Sequence, residues 1–512
     1  MHNTPIFLHT NVSGLHACFA NIFVFAGVKV QQKGATNLGE FIDKNYDVTD
    51  KRIRDLLGIP ANFDVLAREV IIGGRRASFY FVDGFTAGEV MQKIIDSLMK
   101  LKPEDIPKDM PAFSRECMPY GEISLVASKE KFIQLVLAGM TALYVDGYEE
   151  VLFFDIRNYP TRGVEEPERD KAMRGSKDGF VETMVWNAAL IRRRIRDTNL
   201  KMELFSVGRA SKTDVVVAYM SDRAEEQSVK QIIRKIQNID IDSLTMNQES
   251  LLECLYTQHW VNPFPKMKFT ERPDTASACL LEGSIVMLVD NSPSAMILPT
   301  SVFDIIEDAD DYYFPPITGT YLRLSRFLIN IFAVIMTPLF LLLAAHPEWV
   351  PEWLEFINIQ DEVNVPIILQ FLILEFAIDG LRLAAVSTPN MLSTPLSVVA
   401  GIVLGDYSVN SGWFNSEVML YMAIVAIANY TQSNYELGYA LKFMRLILLV
   451  VTHFFGLYGF IGGLIFILIA IACNKTIMGK SYIYPLIPFN GKQILRRFLR
   501  LSLPNSEKYQ NK

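Results

Sequence analysis

Hydrophobic and polar positions follow two different patterns along the chain. From about residue 38 to 320, short apolar runs that predict strands alternate with amphipathic stretches that predict helices. The pattern indicates two small mixed α/β modules, residues 38–160 and 161–320, with an arginine-rich linker at 157–179. Strands are predicted at 63–72, 78–83, 122–127, 141–147, 149–156, 213–220 and 284–290, and helices at 129–139, 179–197 and 224–238.

Residues 321–474 instead contain long apolar windows with few charges. A bilayer core about 30 Å thick needs roughly 20 apolar residues of helix. The windows 327–347 and 366–386 are long enough, and 438–474 can make two short passes that turn at the GLYG sequence of 456–459. The pieces 395–405 and 418–430 are short, which favours a hairpin beside protein or water. The region is predicted to be a polytopic α-helical membrane domain of about five to six segments.

Composition and charge agree with this division. Half of the 512 residues are hydrophobic, 21% are charged, and the mean hydropathy is +0.20. The tail, residues 475–512, is basic, and Arg323 and Arg326 precede the first apolar window, so both ends are predicted on the cytoplasmic side, with an even number of crossings. Residues 492–503 are either an amphipathic helix on an anionic leaflet or a solvated tail. Residues 1–37 form an extension that reflects a mistaken start site, a loose attachment or an extra membrane contact.

Charged residues within and beside the apolar windows are candidates for function. Glu375, Asp379 and Arg382 are spaced i, i+4 and i+7, so they share one helix face and are predicted to form a buried charge network. The residues alone leave open whether this network is structural or binds a cation. Asp406 and Glu417 flank an external loop, where they either concentrate cations at a channel mouth or are ordinary solvated carboxylates.

Small residues recur every four positions in the segment 395–405. Ser397, Gly401 and Gly405 form this stripe, with Val398 and Ile402 beside it. Copies of such a stripe around an axis would make a narrow, partly hydrophobic constriction that closes by dewetting. Alternatively, small residues at this spacing only let neighbouring helices pack closely.

Arginines of the linker and of the following helix are expected to form ion pairs between modules or subunits, namely Arg174, Arg192, Arg193 and Arg194. Acidic neighbours in the linker argue against a nucleic-acid site. The chain has neither a GxxxxGK[ST] nor a GxGxxG motif, and no GxSxG or HExxH, and its five cysteines lie far apart. We therefore expect a protein that is not an enzyme and has no cofactor and no metal site.

Four sequence blocks resemble the A-subunit family of bacterial spore germination receptors, the GerA family. They are residues 159–197, 262–274, 280–313 and 375–412, and TERPD followed by EG and NSP is the most specific part. The sequences VWN and SNYELGYALKFMR are most similar to the SpoVAF branch of this family. Asn291 stands where the family usually has glycine before SP, and asparagine tolerates the positive φ such a turn needs.

The resemblance implies an oligomeric protein of the inner spore membrane with a two-part cytoplasmic N-terminal domain. Family members are similar to ligand-gated channels that release monovalent cations, and the SpoVAF branch is thought to amplify this release together with a companion membrane subunit. With the family in view we favour a pore at Ser397, Val398, Gly401, Ile402 and Gly405. A nutrient-sensing receptor subunit and a non-conducting scaffold are the alternatives, and a secondary transporter is less favoured because no inverted repeat is visible.

Overall fold

A computed structural model describes residues 42–43, 45–126, 128–159, 175–256, 262–387, 401–432 and 434–500. Module 1 is one five-stranded antiparallel sheet in the order β1-β2-β4-β5-β3 with helices on both faces. Both faces of the sheet are covered, which is why its central strands are almost continuously apolar. Its elements are α1 (Tyr46–Leu57), β1 (Val65–Ile72), β2 (Arg75–Val82), α2 (Gly88–Leu98), α3 (Met110–Glu116), β3 (Ile123–Val126), α4 (Lys129–Leu137), β4 (Thr141–Val145) and β5 (Val151–Phe154).

Module 2 repeats this topology. Its antiparallel strands lie in the order β6-β7-β9-β10-β8, so each strand has the same place as its counterpart in module 1. The helices again divide between the two faces, with α5 and α8 on one and α6 and α7 on the other. The elements are α5 (Met184–Arg194), β6 (Leu200–Val207), β7 (Thr213–Met220), α6 (Glu226–Gln237), α7 (Gln248–Leu255), β8 (Lys268–Thr270), α8 (Pro273–Leu281), β9 (Ile285–Val289) and β10 (Ala295–Leu298).

The two mixed α/β modules are therefore confirmed, although the repeated topology was not foreseen. Each of the seven predicted strands is present, and three were missed, namely β6, β8 and β10. The strands β8 and β10 have three and four residues, too few to show an alternating pattern. Asn291 has φ +60°, as expected from its place in the turn after β9.

After two short helices, α9 (Val302–Ile306) and α10 (Asp310–Tyr313), the chain continues into a helical region. Two of its helices, α11 and α14, are long and apolar enough to cross a membrane by length and composition, among the residues the structure describes. Its long α-helices are α11 (Pro316–Ala345), α12 (Ile367–Ser387), α13 (Ser416–Tyr430) and α14 (Tyr435–Ala472), and the tail adds α15 (Gly491–Phe498).

Helix α11 begins eleven residues before the predicted window at 327. Its first turns contain Arg323 and Arg326, whose charges are matched by the carboxylates of Glu307 and Asp308, which lie between α9 and α10, and of Asp311 in α10. The helix can therefore continue past the end of the apolar run into the region beside module 2. The apolar window at 327–347 thus covers only the later part of this helix.

Helix α14 is two helices folded against each other. Gly456 has φ +55° and ψ −133°, a backbone conformation outside the helical region, and it separates the two arms. A Cβ placed on Gly463 would lie 2.5 Å from Cδ1 of Leu448, fifteen positions earlier. In a straight helix these residues would be about 22 Å apart. The chain thus reverses its direction at the predicted place, residues 456–459.

The chain leaves module 2 and returns to it on the same side of the helical region, which we call the module side. The end of α14 lies there because Asn262 donates to Asn474 at 3.2 Å and the amide of Val302 donates to the carbonyl of Tyr482 at 3.0 Å. Ile477 and Met478 are part of the core of module 2. The opposite end, which we call the far side, contains the loops 346–366 and 411–415, joined by Asn364 donating to the carbonyl of Gly412 at 3.2 Å.

Candidate functional site

A buried ionic network joins α12 to the first arm of α14. Glu375 lies between two cations: its carboxylate is 2.7 Å from Nε of Arg445 and 3.3 Å from Nζ of Lys442. Lys442 also pairs with Asp379. Glu375 and Asp379 are one turn apart on α12, while Lys442 and Arg445 are three residues apart on α14, so two acidic and two basic groups face each other.

Burial makes the charge balance of this network important. The side chain of Arg445 is 0% exposed, and besides pairing with Glu375 it donates a hydrogen bond to the carbonyl of Ala333 on α11, at 2.8 Å. An unpaired charge at such a position costs several kcal/mol, whereas two matched pairs leave no net charge. The network therefore holds three helices, α11, α12 and α14, in one arrangement.

The predicted charge network of Glu375, Asp379 and Arg382 has a different composition in the structure. Arg382 does follow the two carboxylates on α12, but its guanidinium lies over three aromatic rings, those of Tyr430, Tyr435 and Tyr439, at 5.7, 4.8 and 5.2 Å. The cationic partners of the two carboxylates are Lys442 and Arg445 of α14. The i, i+3 spacing of these two cations inside an apolar run was the signal that could have identified them.

The predicted pore segment is described only in part, because Ser397 and Val398 lie outside the described residues. A π-helix spans Ile402–Tyr407. Within the described part of the chain, a Cβ built on Gly401 or Gly405 meets nothing within 4 Å, and Ile402 is 45% exposed. This stretch thus has a surface that the rest of the described chain does not cover.

The two predicted mouth carboxylates differ in their surroundings. Asp406 is exposed at the end of the π-helix. Glu417 is partly buried in the first turn of α13, where its Oε1 accepts a hydrogen bond from the amide of Gln360 at 3.3 Å. Glu417 therefore helps to fasten the far-side loop to α13.

A second ionic cluster lies at the module side. It joins the segment containing α9 and α10 to the N-terminal part of α11 and to the tail helix α15. Glu307 accepts hydrogen bonds from Arg323 of α11 at 2.6 Å and from Arg497 of α15 at 2.7 Å. Arg497 also lies 2.5 Å from Asp304, and Asp311 contacts both Arg323 and Arg326. One set of charges thus connects module 2, the first long helix and the tail.

The pKa values at this cluster follow from burial and its cations. Burial raises the pKa of Glu307, but the guanidinium groups of Arg497 and Arg323 and the ammonium of Lys268 outweigh it and hold the pKa below its usual value. At Asp311 burial is the larger influence and raises the pKa despite Arg326 and Arg323. Sequence reasoning missed this cluster, although five acidic residues between 304 and 311 precede Arg323 and Arg326.

The arginines after the linker have distinct positions. Arg192 of α5 is fully buried and pairs with Asp64 of module 1, with 2.6 Å between Nε and Oδ2. The guanidinium of Arg193 lies 4.8 Å from the ring centre of Tyr159, which follows β5. Arg194 pairs with Asp178 at 2.5 Å, close to its own helix, and Arg174 lies outside the described residues.

Comparison with known proteins decides the family. Residues 51–511 match the Bacillus/Clostridium GerA spore germination protein family, which is most of the chain. The chain belongs to this GerA family. The expected resemblance is thereby confirmed.

Two relatives of this GerA-family chain have names connected with sporulation and germination. It is 33% identical over 466 residues to stage V sporulation protein AF of Bacillus subtilis, covering 91% of this chain and 94% of the relative. It is 28% identical to spore germination protein GerLA of Bacillus cereus, covering 88% and 92%. None of these names describes a catalytic activity.

A solved structure also matches, that of the N-terminal domain of the A subunit of the Bacillus megaterium spore germinant receptor GerK3. It is 26% identical, covers 52% of this chain and 98% of that chain, and has a TM-score of 0.40. Among the described residues of this GerA-family protein, no group of three or more His, Cys, Asp and Glu side chains is placed to hold a metal ion.

Proposed function

We propose that this chain is a non-enzymatic subunit of an oligomeric membrane channel that releases monovalent cations during spore germination. The observation that carries the proposal is the uncovered surface at Gly401, Ile402 and Gly405. Glycines that the described part of the chain leaves without a packing partner favour contact with sister copies, and π-helices are frequent at functional sites. Membership of the GerA family supports the setting in germination.

The course of the helical region supports a multi-pass arrangement with the modules and the tail on one side, the cytoplasmic or spore-core side of the inner spore membrane. Helix α11 begins and α14 ends at the module side, which supports an even number of passes between them. The network around Glu375 would neutralise the charges that such passes bring into the apolar layer. The exposed aliphatic and aromatic side chains of α12 and α13 then face lipid or sister subunits.

The module-side cluster suggests how gating would reach the helices. Arg323 of α11 and Arg497 of the tail share the carboxylate of Glu307, which lies between α9 and α10, so a shift of this segment would displace both at once. A companion membrane subunit or a change in the modules could act through this connection.

Ion flux from liposomes containing the purified chain tests the proposal. We expect potassium efflux that requires the protein, and resting efflux raised several-fold by Ile402→Ala or Val398→Ala, because a wider and wetter constriction closes less well. The matched control is Leu468→Ala on the second arm of α14, an exposed aliphatic position away from this segment. Absence of flux from the wild type and all variants would favour a scaffold, and flux that appears only with added amino acids or sugars would favour a nutrient receptor.

A further inference from the structure

The far-side loop between α11 and α12 contains a short 3₁₀ helix, Glu352–Ile357, with three distinct faces. Since a 3₁₀ helix has three residues per turn, side chains at i and i+3 are aligned. Leu354 and Ile357 form a partly buried face, and Ile357 packs on the core that contains Phe340 and Phe371. Trp353 and Phe356 form a second face and Glu352 and Glu355 the third.

The aromatic face is open. Trp353 is 75% exposed and Phe356 is 70% exposed, the opposite of what such large apolar groups favour in water. Trp349 and Trp413 are also exposed on the same side of the helical region. Several exposed aromatic side chains at one end of apolar helices are typical of the boundary between bilayer and water.

The loop presents these rings on an anchored backbone. Asn415 donates to the carbonyls of Asp361 and Glu362, both at 3.4 Å, and accepts a hydrogen bond from Gln370 of α12 at 2.7 Å. Ile357 and Ile359 add apolar contacts with the helix core. The aromatic face is therefore a built surface whose direction is set by the loop.

The charge of the loop selects among lipids. Residues 346–365 contain five acidic side chains and no lysine or arginine. Anionic headgroups would be repelled by Glu352 and Glu355, which adjoin the aromatic face, whereas zwitterionic headgroups would not.

We propose that Glu352–Ile357 lies in the headgroup layer of the far-side leaflet, with Trp353 and Phe356 inserted between zwitterionic phospholipids and Glu352 and Glu355 in water. This proposal rests on the proposed function only because it requires that α11 and α14 span the bilayer. It does not require that the chain conduct ions.

Tryptophan fluorescence in vesicles tests the surface. A full-length variant that retains only Trp353 is prepared by W186F, W260F, W349F and W413F and reconstituted into phosphatidylcholine vesicles with bromines near the headgroup end or near the methyl end of the acyl chains. We expect blue-shifted emission that is quenched several-fold more strongly by the shallow bromines. The control variant retains only Trp186 on α5 and should respond to neither position.

Two results would overturn the proposal. Emission of Trp353 typical of water, without quenching, would show that the ring does not enter the bilayer. Blue-shifted emission without quenching would show that another protein copy covers it.

The preference for zwitterionic headgroups can be tested independently. Replacing part of the phosphatidylcholine by phosphatidylglycerol should reduce the shallow quenching of Trp353, and E352K with E355K should reverse this effect. Equal quenching in both lipids before and after the charge reversal would contradict the assigned headgroup class. If the bromines quench Trp353 in a protein that conducts no ions, the proposed channel function is wrong and the proposed contact with lipid headgroups is supported. The two proposals can therefore fail separately.

Discussion

At the scale of single residues, the decisive group is one carboxylate. Glu375 is the only carboxylate in the described network that contacts both Lys442 and Arg445. The sequence identified the two acidic members because charges are conspicuous in an apolar window. It did not identify their partners, since the pairing joins residues 67 and 70 positions apart.

Removing the charge of Glu375 should be costly. In Glu375→Gln, Arg445 stays buried with an uncompensated charge, and we expect a destabilisation of about 3–5 kcal/mol, seen as a lower Tm of the detergent-solubilised chain. Asp379→Asn is the matched control: its side chain is about one-third exposed, so the effect should be much smaller. Adding Arg445→Met to Glu375→Gln should restore part of the loss. Equal effects of the two single variants would contradict the assignment.

At the scale of elements, helix lengths follow the apolar pattern while their ends follow contacts. Helix α12 at Ile367–Ser387 and α13 at Ser416–Tyr430 closely match the predicted windows at 366–386 and 418–430. Helix α11 extends beyond its window because the carboxylates of Glu307 and Asp311, which follow α9, accommodate its early arginines. The tail is not simply solvated, as one of the two alternatives for residues 492–503 had it, because Phe498 of α15 packs against Phe303 and Phe327.

The reversal within α14 gives a prediction with a close control. Gly456 has a positive φ that residues with a Cβ rarely adopt, and a Cβ placed there would meet no atom within 4 Å. Gly456→Ala therefore acts through backbone strain alone. We expect a loss of about 1–3 kcal/mol in thermal unfolding. Gly462→Ala, also in open space but with helical backbone, should be neutral or stabilise by up to about 1 kcal/mol. If both variants behaved alike, the reversal at Gly456 would be wrong.

At the scale of the whole molecule, module 2 is fastened to the helical region at several points besides the ionic cluster. Lys266 is one of them: its ammonium is buried near the rings of Tyr256 and Tyr482 and donates to the carbonyl of Lys475 at 2.9 Å. Burial lowers the pKa of Lys266 from 10.5 to about 8. The junction therefore contains a cation that becomes neutral more easily than an exposed lysine.

Stability of the junction should consequently rise with pH. Between about 8 and 10.5 the unfolded chain still binds a proton at Lys266 and the folded chain has lost it, so raising the pH through this window favours folding. The gain in the free energy of unfolding is at most about 3.4 kcal/mol, by 1.36 kcal/mol for each of the 2.5 pKa units between 10.5 and about 8. We expect Lys266→Met to flatten the rise in Tm across this window, and Lys230→Met, at an exposed position on α6, to leave it unchanged. A rise that persists in Lys266→Met would assign it to other groups.

What the sequence determined by itself is local. Apolar periodicity identified both modules, the helical region and the reversal near Gly456, because the spacing of hydrophobic residues and the backbone preference of glycine act over a few positions. Only the tertiary structure decided the repeated strand order of the two sheets, the partners of Glu375 and Glu307, and the docking of the tail on α11. These depend on which distant segments meet, and charge pairing and burial are settled only when they do.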